Sequence, residues 1–392
     1  MRRTRRPASQ SPHDVAGRFV GNDPTLCVEP LGAGLINATY RVQSAQGTFV
    51  LQRINEKVFR APEHIMSNLT RLHALATAHQ ELGVRLATPL SADDGSAFVR
   101  DSDGGIWRMT EYVYPSRTLS DVQNEAQAAE IGRTLGRFHR LGSHIDPRAI
   151  QITLPDFHHT PGYLAALDQA LDSTGDRAGA ASADAQIADA LAFVETRRAL
   201  VRVLDDAMQA GLTRLRVIHG DPKLDNLLFD STDDRALCLI DLDTVQPGLL
   251  HHDIGDCLRS CCNRAGEATD AGIPIQFDLD VCSGILTAYG AETRGLLNTR
   301  EVGLIYPCIR LIPFELGLRF LTDHLRGDRY FRVTAPGDNL RKALVQFALV
   351  ADIERKAKSI EDIIARSFQR KDTTDQSNSE PWQRDRDARP AI

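Results

Sequence analysis

No stretch of the 392 residues approaches the roughly 20 consecutive apolar residues of a membrane-spanning helix. The basic opening MRRTRR is not followed by the apolar core of a secretory signal. Both absences predict a cytoplasmic protein with no membrane partner. Paired cysteine spacing is missing as well: the seven cysteines are odd in number and form no C-x-x-C set. Cys257, Cys261 and Cys262, at i, i+4 and i+5, suit the buried face of a helix better than a zinc site. The sequon Asn37-Ala38-Thr39 would go unused in such a compartment. There is no basic excess, and a net charge of −6 with a pI near 6.1 argues against nucleic acid as the main partner. Arg2 to Arg6 are then a polar tail with at most a polyanion-binding role. No internal repeat is visible. What remains is 42% hydrophobic and 25% charged residues over a length that accommodates two lobes with cores of their own, the oligomeric state staying open.

The chemistry is concentrated between Arg216 and Asp256, in VIHGDPKLDNLLFD and CLIDLDTVQPGLLHHDIGD. Val217 and Ile218 read as a strand end. His219, Asp221, Lys223 and Asn226 then fall on a short polar loop that a second apolar run, 227–229, closes. A further run, 237–240, stops abruptly on Asp241 and Asp243, which puts carboxylates at the mouth of a strand beside the first loop. Two oxygen-rich loops on adjacent strands make a site for a hard cation. Phosphoryl transfer from Mg-ATP needs one carboxylate to orient or deprotonate an acceptor hydroxyl, and oxygen ligands that hold Mg²⁺ on the phosphates. Asp221 suits the first role; Asn226 and Asp241 suit the second. Lys223 stands where a cation could meet the transferring group. Asp243 reads equally as a second metal or substrate contact and as a turn acceptor.

The pattern H-x-D-x-x-x-x-N followed by apolar-D resembles the catalytic and metal loops of kinase-like phosphotransferases. The HGD opening resembles the aminoglycoside phosphotransferase and choline kinase branch. That resemblance implies an α+β, protein-kinase-like two-lobe fold, with a β-rich N-lobe, a mainly helical C-lobe, and ATP and Mg²⁺ as cofactors between them. It also implies that His219 supports the loop by hydrogen bonding, with Asp253 bracing it from behind. Within the branch, the sequence is similar to bacterial N-acetylhexosamine 1-kinases in three stretches: GAGLINATYRV with FVLQRIN; HGDPKLDN with IDLDTVQPG and DIGDCLR; and FELGLRFLTDHLRGDRYF. This implies a sugar acceptor, a sugar 1-phosphate product, and sugar contacts from Arg319 and Tyr330. Arg319 also sits among Glu315, Asp323 and Arg326 at helical spacings, as in a salt-bridged surface face.

Along the chain the expectation is a disordered tail over 1–14, an N-lobe over 15–113, a helical C-lobe over 114–368 and a second disordered tail over 369–392. Three strands are predicted in VEPLGAGLINATYRVQSAQGTFVLQRIN, with a bend at Gly32 and Gly34 that would cover the phosphates. The third strand, FVLQRI, has no lysine where kinases carry one. Alternation puts Val50 and Gln52 on one face and Leu51 and Arg53 on the other. If Val50 packs on adenine, Gln52 takes the lysine's slot; either Arg53 reaches the phosphates through a strand offset or Lys223 supplies the charge. Apolar spacing predicts a helix over 62–80, with Glu63 in its first turn either paired with Arg53 or answering the helix dipole. Strands over 97–100 and 106–113 lead into a hinge at 110–113, where Glu111 and Val113 would present backbone groups to adenine. Helices are predicted over 125–141, 280–289, 301–320 and 340–364, with His139 packed and 173–190 a surface excursion. Other acceptors remain open (an aminoglycoside, homoserine, an amino alcohol), as does a nucleotide-binding pseudokinase, which the absent lysine suggests. The balanced charge over 301–330 counts against a polycationic acceptor.

Overall fold

A computed structural model describes residues 10–32, 36–173, 185–266 and 274–369. Order begins earlier than the expected tail boundary. The Ser11 hydroxyl accepts the Asp14 N–H, the Asp14 carboxylate accepts the Ser11 N–H, and Pro12 supplies a first-turn φ, so helix α1 (Pro12–Val20) already occupies 12–14. Residues 1–9 and 370–392 of the expected tails lie outside the described residues.

Helix α1 lays Val15, Ala16, Phe19 and Val20 on an antiparallel sheet. Its strands are β1 (Cys27–Pro30), β2 (Ala38–Ser44), β3 (Gly47–Arg53), β4 (Pro89–Leu90), β5 (Val99–Arg100) and β6 (Ile106–Glu111), in spatial order β1-β2-β3-β6-β4 with β5 also on β6. Register is unbroken from Ala38↔Arg53 to Ser44↔Gly47 and from Phe49↔Glu111 to Arg53↔Trp107. The two-residue period therefore holds: Val42, Leu51, Trp107 and Met109 pack under α1, and Val50, Gln52, Arg108 and Thr110 share the opposite face. That second face looks onto the rest of the molecule.

Helix α2 (Pro62–Ala78) ends two residues short of its expected limit. Glu63 pairs with Arg100, not Arg53. Asn68, fully buried at mid-helix, donates to the carbonyls of Gln151 (2.8 Å) and Val245 (2.9 Å), which fastens α2 to the helical region. After β7 (Ser116–Arg117) come α3 (Glu125–Gly142), α4 (Thr160–Ser173), α5 (Ala185–Glu195) and α6 (Val203–Gln209). Of the expected surface excursion, 174–184 lie outside the described residues. Residues 185–190 belong to α5, which buries Ile187 and Ala190.

Two short ladders carry the functional loops: β8 (Arg216–Ile218) pairs with β11 (Gln246–Gly248), and β9 (Leu227–Asp230) lies between β10 (Ala236–Leu239) and β7. Behind them pack α7 (Leu250–Cys261), α8 (Leu279–Glu292), α9 (Thr299–Val302), α10 (Ile305–Leu325), α11 (Asp338–Arg355) and α12 (Ala357–Ser367). The single helix expected over 340–364 is thus two, separated at Lys356, whose ammonium donates to the Phe277 carbonyl (2.8 Å). At Gly132 on α3 a side chain would collide with the Ile285 carbonyl, so α3 and α8 approach at backbone distance. Cys257, Cys261 and Cys262 are buried in the large core.

Candidate active site

The chain leaves β8 through His219 and Gly220, whose N–H groups both donate to the buried carboxylate of Asp253 on α7 (2.7 and 2.8 Å). His139 of α3 bonds the same carboxylate through Nε2 (2.9 Å) and meets the Tyr289 hydroxyl through Nδ1 (2.8 Å). Burial alone would lift the Asp253 carboxyl; the donors, led by His139, hold it below its ordinary value. Gly220 stands at φ +88°, and a Cβ there would lie 2.7 Å from the Thr244 carbonyl oxygen. Only glycine lets the two loops approach this closely. The buried His219 ring donates from Nε2 to the Ile240 carbonyl (3.0 Å) and accepts the Asp221 N–H at Nδ1 (3.3 Å). Both nitrogens are thereby engaged, and burial lowers the ring's pKa.

Asp221 is part-exposed. Its Oδ2 accepts from Lys223 Nζ (2.7 Å) and Asn226 Nδ2 (3.1 Å), and the same amide donates to the Asp221 carbonyl (2.8 Å). With its nitrogen turned to Asp221, Asn226 has its carboxamide oxygen left for a cation. The Ile240 N–H donates to the Asn226 carbonyl (2.9 Å), which locks the second loop to the first. Asp241 follows at φ +61°, a left-handed conformation uncommon outside glycine. Its side chain opens onto a cleft, yet its carboxyl is pushed up to about 7, by desolvation first and then by Asp243 and Asp221. Asn226 and Asp241 are oxygen donors of the kind that fit a hard divalent cation.

Asp243 does not join them. Of its two readings, a metal or substrate contact and a local turn acceptor, neither describes it: Asp243 is buried beneath the sheet, where its Oδ2 accepts from Asn37 Nδ2 (2.7 Å) and its Oδ1 lies 2.5 Å from Arg108 Nη1. The left-handed step at Asp241 and the tight turn over Leu242–Thr244 carry it away from the acceptor side.

Between the sheet and these loops lies a cleft of about 320 Å³. Leu31 and Val50 line it from the sheet side, Leu228 and Leu239 from the helical region, and Asn226 and Asp241 also border it. Glu111 and Val113 both line it, although the Glu111 N–H already donates to Thr88 O (2.8 Å) and the Val113 carbonyl accepts from Ser116 Oγ (2.6 Å). Gly32 has φ +66°; Gly34 lies outside the described residues. Gln52 lines the cleft. Arg53 does not, because the unbroken register leaves it on the α1 face, where Nε donates to Asp101 (3.2 Å). Among the described residues the cation that borders the cleft is Arg108, for which the sequence motifs suggested no role. Its signal was there: a charge inside the otherwise apolar IWRM, on the same strand face as Thr110.

A second cavity, about 270 Å³, is lined by Asp221 and Lys223 and by Arg319 and Tyr330. Arg319 does not lie in a salt-bridged surface face. Its guanidinium stands 5.1 Å from the ring centre of Tyr163, 5.4 Å from that of Phe331 and 5.6 Å from that of Phe157. Asp323 instead accepts the backbone N–H groups of Arg329, Tyr330 and Phe331, each at 2.9 Å, and Arg326 donates to Ala166 O (3.0 Å). One turn before Arg319, buried Glu315 pairs with His158 Nδ1 (3.0 Å), whose Nε2 donates to the Gly220 carbonyl (3.0 Å). Asp221, which lines this second cavity, is hydrogen-bonded to Asn226, which lines the cleft.

Among solved structures, a microcompartment-associated aminopropanol kinase has a TM-score of 0.57 at 17% identity, covering 88% of this chain and 98% of that one. For a choline kinase from Cryptosporidium parvum Iowa II the values are 0.55, 12%, 89% and 95%; for a Plasmodium vivax ethanolamine kinase they are 0.54, 15%, 88% and 84%. At such identities the likeness is one of fold, the kinase-like two-lobe α+β arrangement. A family model described as the phosphotransferase enzyme family matches residues 28–282, a span that runs from β1 through both functional loops into α8. The chain belongs to the phosphotransferase enzyme family.

Proposed function

We propose that the chain transfers the γ-phosphoryl group of ATP to a small hydroxyl acceptor, the anomeric hydroxyl of an N-acetylhexosamine or a closely related sugar. The observation that carries the reading is the hydrogen bond between Asp221, which lines one cavity, and Asn226, which lines the other. A nucleotide in the first cavity would be gripped by Val50 and Leu31 against Leu228 and Leu239. Asn226 Oδ1 and the Asp241 carboxylate would hold Mg²⁺, which when bound neutralises phosphate oxygens. Asp221, with Oδ2 engaged by Lys223 and Asn226, has Oδ1 to orient and accept the proton of the incoming hydroxyl. Lys223 stands beside it to face the transferring group. Asp221, Asn226 and Asp241 are all present, which argues against a pseudokinase.

Charge in the second cavity supports the acceptor class. Lys223, Arg259, Arg319, Arg332 and Lys342 line it, against Asp221, Asp256 and Glu315. All three of those carboxylates are already paired, Asp221 with Lys223 (2.7 Å), Asp256 with Arg259 (2.8 Å) and Glu315 with His158 (3.0 Å), which leaves Arg319, Arg332 and Lys342 in excess. A polycationic aminoglycoside or a quaternary amine would enter against this field; a neutral acetamido sugar would meet donors suited to its carbonyl and hydroxyls. An anomeric hydroxyl, being more acidic than an ordinary alcohol, also asks little of a weak base such as Asp221. The test is ADP release over hexosamines, kanamycin, homoserine, ethanolamine and choline. N-acetylglucosamine or N-acetylgalactosamine should show the highest kcat/KM; an amino alcohol or aminoglycoside ahead of every hexosamine overturns the sugar reading.

A further inference from the structure

We propose that Arg108, carried on β6, is the cation that meets the nucleotide phosphates in this chain, and that Gln52, in the slot where a lysine is missing from β3, is its positioning residue. The inference rests on the nucleotide reading of the first cavity. Gln52 and Arg108 are direct cross-strand partners. The Gln52 carboxamide oxygen accepts from Arg108 Nε (3.0 Å) and Nη2 (2.7 Å), while its amide donates to Thr39 Oγ1 (3.3 Å). Two bonds to one oxygen fix the plane of the guanidinium. The arginine is only 3% exposed, yet it borders the same cleft as Asn226 and Asp241.

Its third nitrogen is the informative one. Arg108 Nη1 lies 2.5 Å from Asp243 Oδ1, but the pair lacks hydrogen-bond geometry, and neither atom has another hydrogen-bond partner among the described residues. The charges compensate each other, while the buried Nη1 has no hydrogen-bond acceptor among the described residues, a donor that a phosphate oxygen reaching this end of the cleft would satisfy. A buried guanidinium with no counter-charge would be costly, so Asp243, itself held by Asn37 Nδ2 (2.7 Å), keeps Arg108 in place before any phosphate arrives. A planar guanidinium also suits phosphate oxygens, which it can engage with more than one N–H. The absent β3 lysine is thus replaced by an arginine one strand over, and Gln52 is retained to aim it.

The experiment is calorimetric titration with Mg-ATP and, separately, adenosine. The proteins are wild type, Arg108→Met, Arg108→Lys, Gln52→Leu and the double variant Arg108→Met/Asp243→Asn, which removes both charges together should the single change leave Asp243 buried alone and prevent folding. Arg108→Met, or the double variant, should weaken Mg-ATP at least tenfold while adenosine affinity stays within twofold. Arg108→Lys should recover part of the loss, and Gln52→Leu should show a smaller one. Equal losses for adenosine and Mg-ATP, or unchanged Mg-ATP affinity, overturn the assignment of Arg108 and leave the nucleotide reading intact. Wild-type protein that binds no Mg-ATP overturns both.

Discussion

At the scale of single residues, Asp221 and Gly220 make opposite demands. Asp221 is tied by hydrogen bonds that an amide can partly imitate, so Asp221→Asn should fold and keep its Mg-ATP affinity while kcat falls by roughly 10²–10⁴-fold, the range for a positioned acid–base group. Near-wild-type turnover would remove Asp221 from the chemistry. Gly220→Ala should fail for a geometric reason. The added carbon meets the Thr244 carbonyl at 2.7 Å in a left-handed backbone, so we expect about 1–3 kcal/mol of destabilisation, read by chemical denaturation, together with lost turnover. His219 and Asp241 show how far residue identity carries. Their types and spacing mark the loops, but only the fold shows a neutral His219 ring with both nitrogens engaged and an Asp241 bent into φ +61°.

At the scale of elements, α10 joins the cavity proposed for the acceptor to the loop that carries Asp221. Glu315 pairs with His158, and His158 bonds the Gly220 carbonyl. Burial, the largest single effect, depresses the His158 pKa, but the Glu315 charge and hydrogen bond together with the Gly220 carbonyl outweigh it and the net shift is upward from 6.5; burial likewise lifts Glu315, but the His158 charge and hydrogen bond together with Arg319 and Thr160 outweigh it and the net shift is downward from 4.5. For the raised histidine, the stabilisation is fully present below pH 6.5 and is lost as pH rises through the folded value. For the lowered carboxyl, it is present above 4.5 and is lost as pH falls through the folded value. Glu315→Gln should therefore cost most between about pH 4.5 and 6.5, on the order of 3–5 kcal/mol for breaking a buried pair, and less on either side. A stability difference that is flat from pH 5 to 9 would count against the pair. Asp323 acts at the same scale. It holds three consecutive N–H groups, so Asp323→Ala should release the 329–331 segment and raise the acceptor KM severalfold with little change in Mg-ATP affinity, measurable by steady-state kinetics with each substrate varied in turn.

At the scale of the molecule, the cleft proposed for the nucleotide lies where β3 and β6 are held over β9 and β10, with α2 fastened across by Asn68. A ligand that bridges both sides stabilises the folded state by mass action, by about 2.7 kcal/mol at a hundred times its Kd. Mg-ATP should raise the Tm of wild type and Asp221→Asn alike, and should do so far less for Asp241→Ala, which loses an oxygen donor at the mouth of the cleft. Equal shifts in all three proteins would exclude Asp241 from the metal site. Two lobes, the order of the loops and their strand–loop–strand settings were legible from apolar runs that end on polar clusters, because local periodicity reports local structure directly. Arg319 was legible as a candidate but not as an occupant of an aromatic surround, since Tyr163 and Phe331 come to it from distant segments.

By itself the sequence determined the elements, the strand face on which Gln52 lies and the carboxylates that end up near one another, since alternation and loop spacing follow from backbone geometry. Tertiary structure decided partners. It turned Arg53 to Asp101, sent Asp243 beneath the sheet to Arg108 and Asn37, and set Arg108 against Gln52. Each of these pairings joins residues brought together by strand register or by packing across the cleft, and a charge buried there takes whichever counter-charge the fold places within reach, a choice that no local pattern encodes.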